Sequence, residues 1–158
     1  MIARRLLLLL LPLLLLAPFA RVADAELAQF PKSSLTIVSA SGQHKFTVEL
    51  ATTQVQMEQG LMFRTSLAAD AGMLFDFERP TMAVMWMKNT LIPLDMLFVD
   101  AKGRIVNIHQ RAVPETLDTI AAAAPVRAVI ELNGGTASRL DIRPGDRVVY
   151  PIFQDGAK

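Results

Sequence analysis

The chain predicts a mostly β domain: a compact antiparallel barrel, closed or partly open, with one short covering helix. Three observations predict it. Apolar runs of strand length recur between Gly, Pro and Asn signals, several with a two-residue period. Only one segment carries a full set of helix-start signals. No alternation of strand and helix is present, which argues against a parallel α/β sheet.

The order of elements follows from these signals. Residues 1–25 read as a signal peptide: Arg4 and Arg5 precede the apolar Leu6–Leu16, broken only by Pro12, and Ala23-Asp24-Ala25 is an A-x-A cleavage site. The apolar stretch is shorter than the roughly 20 residues that span a bilayer. Cleavage before Glu26 is therefore expected, and an uncleaved leader is the one route to the membrane. The Arg pair lacks the surrounding twin-arginine motif, which favours the general export route. Residues 26–34 form a tether containing Pro31, 35–153 one β-rich domain, and 154–158 a loose tail.

Within the domain, Leu35–Val38 and Phe46–Ala51 make a hairpin around Ser39-Ala40-Ser41-Gly42. Thr53 and Gln56 stand at capping-box spacing for a helix over Gln54–Leu61, with Val55, Met57 and Leu61 turned inward. Gly72–Phe77 and Met82–Met87 read as strands separated by the polar break Glu78-Arg79-Pro80, and Met96–Val99 as a third. Ala101-Lys102-Gly103 turns the chain into Arg104–Ala112. A long connection follows, with one helical turn expected at Ala121–Ala124. Val126–Leu132, a short helix at Thr136–Leu140 and a last strand at Arg147–Phe153 complete about eight strands.

Composition excludes several function classes. The full chain has a formal charge of +1; the leader holds three of the 16 basic and one of the 15 acidic residues, so the remainder carries −1. That is not the basic footprint of a nucleic-acid-binding protein, and no nucleic-acid partner is expected. Cys is absent, so there is no disulfide, thiolate nucleophile, Cys zinc site or lipid-modified Cys anchor. Gly-rich phosphate loops, G-x-S-x-G and H-E-x-x-H are missing. His44 and His109 are isolated surface histidines in this reading, and no metal or cofactor is expected.

The polar residues of interest cluster after Trp86, the only Trp. Lys88, Asn89 and Asp95 bracket a turn at a strand end. Either they converge on a ligand at the barrel mouth, or Asn89 and Asp95 hold the turn while Lys88 is solvated. Trp86 is either core or the stacking wall of a pocket. Arg64 either pairs with Asp76, Asp95 or Glu131 or clamps a substrate. Glu131 ends an otherwise apolar strand, so its carboxyl must meet a cation or reach water. Asn133-Gly134-Gly135 either offers N–H groups to an anion or simply ends that strand. Six of eight methionines lie between residues 57 and 87; they read as adaptable core filler rather than a Cu(I) set.

Several motifs occur in a fixed order: Gly60-Leu61-Met62-Phe63-Arg64, Gly72-Met73-Leu74-Phe75, Trp86-Met87-Lys88-Asn89-Thr90, Pro93-Leu94-Asp95, Ala112-Val113-Pro114, Glu131-Leu132-Asn133-Gly134-Gly135 and Gly145-Asp146. From about Thr47 to Tyr150 the chain resembles the prokaryotic family called domain of unknown function 192. The resemblance implies a compact β-barrel-like domain, often exported, and brings no activity, substrate, cofactor or catalytic set. It directs attention to Arg64, Lys88, Asn89, Thr90, Asp95 and Glu131 as the polar motif members. Met85 stands where the family would lead one to expect an aromatic.

Two functional readings result. The first is an exported domain, periplasmic or extracellular, that binds a small ligand, peptide or envelope protein without catalysis at Arg64, Trp86, Lys88, Asn89 and Asp95. The second is an envelope hydrolase or lyase with Asp95 or Glu131 as general base and Lys88 or Arg64 stabilising developing negative charge.

Overall fold

The two-residue apolar period becomes a curled seven-stranded half-barrel in the computed structural model, which describes residues 27–153. The leader, its cleavage site and the C-terminal tail lie outside the described residues. β1 (Lys32–Ser39) and β2 (Gly42–Ala51) pair from Lys32↔Glu49 to Ser39↔Gly42. β1 thus starts inside the expected tether, because Lys32, Ser33 and Ser34 find ladder partners although they carry no apolar pattern.

Thr53 caps α1 (Gln54–Gln59), and the expected capping box with Gln56 is present. Val55 is a correction: it is exposed, and the inner contacts come from half-buried Met57 and from Leu61, beyond the helix end. β3 (Ala71–Thr81) returns parallel to β2, the one departure from an antiparallel sheet. A parallel neighbour requires a crossover, and the segment 52–70, with α1 inside it, supplies one. The polar break at Glu78-Arg79-Pro80 does not end the strand. It is absorbed as a bulge between Asp76 and Thr81, with Glu78 at φ 61°.

The run Met82–Met87 is not a strand of the main sheet. Only β4 (Val84–Met85) is extended, and it pairs with β7 (Ile120–Ala121), which replaces the helical turn expected at Ala121–Ala124. β5 (Leu94–Val99), β6 (Ile105–Ala112) and β8 (Val126–Asn133) follow expectation, and α2 (Thr136–Arg139) forms the second helix. The last strand, β9 (Arg147–Val149), is shorter than expected and gives way to a 3₁₀ turn, Pro151–Phe153. Pro151 has no N–H to offer a ladder.

The strand order is β6-β5-β8-β3-β2-β1-β9. One bridge, Arg104↔Arg147, joins the two edges, aided by the Ile105 N–H to the Asp146 carbonyl at 2.9 Å. The curled sheet encloses one apolar cluster, including Leu35, Ile37, Phe46, Leu74, Leu97 and Ile130. The opposite face of β3, β5 and β8 carries a second, with Met73, Phe75, Met96, Phe98 and Val129 under the β4–β7 cover. These three strands are therefore buried on both sides, which suits their nearly continuous apolar sequences. Gly72 permits the β3–β8 approach: a Cβ there would lie 2.6 Å from the Glu131 carbonyl oxygen.

Candidate functional site

Period two along β8 puts Val129 and Glu131 on the covered outer face and Ala128, Ile130 and Leu132 in the barrel interior. Glu131 stands opposite Met73 on β3 and Met96 on β5, both fully buried. The same row continues to Glu49 on β2 and His109 on β6. A carboxyl flanked by thioethers receives neither charge nor hydrogen bond from its neighbours. Burial alone raises the Glu131 pKa from 4.5 to about 8, so the group is largely protonated at neutral pH.

Glu131 reaches the floor of a small cleft between α1 and the β4 segment. Leu61 and Phe75 form apolar walls, Thr90 adds a hydroxyl, and half-exposed Trp86 (50 %) stands at the lip. Three methionines, Met57, Met62 and Met85, also line it. Its volume is about 30 Å³, enough for a group the size of one water molecule. No enclosed side-chain N or O atom among the described residues lacks a partner. The Glu131 oxygens have no protein partner there, and the cleft is where they meet solvent.

The structure disperses the expected site. Of Arg64, Trp86, Lys88, Asn89 and Asp95, only Trp86 lines the cleft. Trp86 is not core, contrary to the alternative that favoured burial. Lys88 is exposed, with Nζ 5.4 Å from the centre of the Trp86 ring, a cation–π geometry. Asn89 occupies the left-handed region (φ 53°), accepts the Phe63 N–H at its carbonyl, and places Nδ2 3.8 Å from Met62 Sδ. Asn89 thus links its turn to the 62–63 segment by its backbone carbonyl and a thioether contact, not by the expected side-chain-to-backbone bond.

Asp95 is fully buried and does not reach the mouth. Its Oδ1 accepts the N–H groups of Arg111 and Gly135, and Oδ2 that of Ala137, at 2.8–2.9 Å. It ties β6 and the start of α2 to β5 at the barrel end, a structural role that leaves no oxygen for a ligand. The Gly134 N–H goes to the Pro93 carbonyl, so the Asn133-Gly134-Gly135 stretch is a strand end, not an anion nest. Asn133 holds the 65–70 loop through the carbonyls of Leu67 and Ala68.

Arg64 pairs with none of its three expected carboxylates. Glu49 takes it bidentately at 2.9 and 2.6 Å, and this hydrogen bond is the main cause of its raised pKa. Asp76 is engaged by Arg127 at 2.8 and 3.0 Å. His44 sits beside Ser39 and Ser41, and His109 is exposed. Among the described residues no His, Asp and Glu cluster is arranged to hold a metal. Of the methionines, Met82 is exposed whereas Met73, Met87 and Met96 are core.

The sequence marks Glu131 as a carboxyl that must meet a cation or reach water; it reaches solvent, through a cleft the sequence does not show. Thr90 was noted only as a motif member. The walls from Leu61, Phe75 and the three methionines carried no signal beyond hydrophobicity, because the cleft exists only once α1 is laid against β8.

The described residues form a β-barrel-like fold with a largely buried carboxyl at the floor of a narrow cleft. The chain belongs to the family DUF192, described as an uncharacterized ACR, whose profile matches residues 36–150. Two solved structures are similar. One, a candidate transcription regulator from Sinorhizobium meliloti 1021, is 47% identical over 79% of this chain and 98% of its own, with a TM-score of 0.76. The other, a protein of unknown function from Novosphingobium aromaticivorans DSM 12444, is 46% identical over 75% and 85% of the two chains, with a TM-score of 0.74. No curated protein shows significant similarity to the chain.

Proposed function

We propose that this protein is an exported, non-enzymatic binding domain that takes the end of a small ligand or peptide at Glu131, with the remainder resting against Trp86. One observation carries this reading: Glu131 is buried, lacks a protein hydrogen-bond partner among the described residues and opens onto a cleft. Buried polar side chains are ordinarily hydrogen-bonded, and only solvent in the cleft can serve Glu131 in the free protein. A ligand group entering the cleft would satisfy it. The β4–β7 cover adds exposed Met82, Val84, Leu91, Val113 and Leu117, which suit a partner with an apolar body.

The hydrolase or lyase alternative has less support. Asp95 is consumed by three N–H groups, Arg64 by Glu49, and Glu131 is in the wrong protonation state for a base at neutral pH. The S. meliloti protein's name raises transcription regulation. The net charge of −1 after the leader and the shortness of the two α-helices among the described residues, six and four residues, favour a partner other than DNA. The leader supports an envelope location.

A thermal-shift screen against envelope metabolites, sugars, amines and short peptides tests the reading. A ligand at 100 times its Kd stabilises by about 2.7 kcal/mol. Hits are expected to be lost in Trp86→Ala and Glu131→Gln and kept in Lys102→Ala, a distant surface change. Hits indifferent to both cleft variants would sink the proposal.

A further inference from the structure

The cleft's polar inventory has a sign. Its titratable lining residues are Glu131 and Glu58; no Lys, Arg or His lines it. Trp86 offers a π face at the lip, and the Lys88 ammonium already lies 5.4 Å from that ring's centre. Gln59 and Gly60, at the end of α1, complete the lining. A carboxyl without a protein partner and an aromatic face both favour a cation. The narrow space of about 30 Å³ suits a compact head group such as –NH₃⁺ better than a bulky quaternary ammonium.

We propose that the Glu131 cleft binds a primary ammonium group, carried by an amine, a lysine side chain or a peptide amino terminus. The inference rests on the binding reading above and names its ligand chemistry. In the bound state the ammonium donates to Glu131 and to the Thr90 hydroxyl, while the first carbons of its chain lie against Trp86. Because Glu131 is protonated at neutral pH when the cleft is free, binding releases a proton. Glu131–COOH and R–NH₃⁺ give the carboxylate–ammonium pair and one H⁺ to solvent.

The surrounding charges leave this exchange to Glu131. On α1, Glu58 accepts from Gln54 Nε2 at 2.6 Å, and along the row Glu49 is neutralised by Arg64. His109 lies beyond Met96, Arg127 is held by Asp76, and Lys88 lies over Trp86. β3 and β5 present only Met73 and Met96 beside Glu131. Lys88 does not line the cleft but its charge stands over Trp86, near an incoming cation, so its removal should tighten binding.

The test uses the single Trp as reporter and calorimetry in buffers of different ionisation enthalpy. Ethylammonium, cadaverine, lysine and glycinamide are compared with tetramethylammonium, and with N-methylacetamide as a neutral probe, between pH 6 and 9. The primary amines should bind. For ethylammonium and cadaverine, which stay protonated, affinity should rise toward about tenfold per pH unit below pH 8 and flatten above it, with about 0.9 proton released per ligand at pH 7. Glycinamide, whose amino group loses its proton near pH 8, should weaken above that pH. Glu131→Gln, which keeps shape and loses the charge, should abolish binding and proton release, and Lys88→Met should strengthen binding. The relative affinities of lysine, glycinamide and cadaverine separate side-chain, amino-terminal and free-amine sources.

Amine binding with no proton release, or binding retained in Glu131→Gln, would overturn the inference. Glu131-dependent binding of N-methylacetamide but not of amines would overturn it too, leaving the binding reading intact. If neither probe class perturbs Trp86 in a Glu131-dependent way, both readings fail. Silver ion bound in place of amines, and lost on Met57, Met62 and Met85→Leu, would reassign the cleft to a soft metal.

Discussion

At the scale of single residues, the two buried carboxyls illustrate opposite solutions. Asp95 receives three backbone N–H groups and acts as a clamp; Glu131 receives none and faces the cleft. The difference has a pH signature. Below about pH 4.5 Glu131 is protonated in both folded and unfolded chains, and its burial carries no charge penalty. Between that value and about 8 the unfolded chain gives up a proton that the folded chain keeps, so stability falls as pH rises. Above 8 the loss levels off, at most on the order of 5 kcal/mol. Glu131→Gln lacks this dependence. Urea denaturation of parent and variant at pH 5, 7 and 9 should show the variant gaining relative stability with pH; a constant difference would show that Glu131 is well hydrated.

Elements matter through what they bring together. Residues such as Met73, Glu131 and Met96 are far apart in sequence and adjacent only because β3, β8 and β5 pair in this register. Gly72 is the point where the pairing is most sensitive. An added methyl would meet the Glu131 carbonyl at 2.6 Å and Leu132 Cδ2 at 2.7 Å, and backbone in the middle of a sheet cannot yield. Gly72→Ala should lower stability by about 2–3 kcal/mol in denaturant titration, and should displace Glu131 enough to weaken any cleft ligand. Wild-type stability in that variant would mean the two strands are less closely apposed than described.

For the whole molecule, burial on both faces ranks the parts by resistance to opening. Amides of β3, β5 and β8 lie between two apolar clusters, whereas the β4–β7 cover is two residues wide on each strand. Hydrogen exchange should therefore proceed first in the segments 82–92 and 113–121, and last in the three central strands. A ligand in the Glu131 cleft should protect the 82–92 segment selectively, because Trp86 and Thr90 line it. Uniform exchange across cover and core would contradict the layered arrangement.

Much of this architecture was legible beforehand, for stated reasons. Apolar period and turn residues located most strands, the Thr53–Gln56 box located α1, and the ordered motifs located the family. These signals are local, and local chemistry suffices for them. Three things were decided only by tertiary structure. The parallel return of β3 depends on which edge the crossover reaches, and periodicity does not record that. The partner of Arg64 proved to be Glu49, since a flexible cation takes the carboxylate that folding brings nearest. Finally, the polar motif residues divided between clamp, turn and cleft because the protonation and partners of a carboxyl depend on its surroundings, which are set by segments distant in the chain.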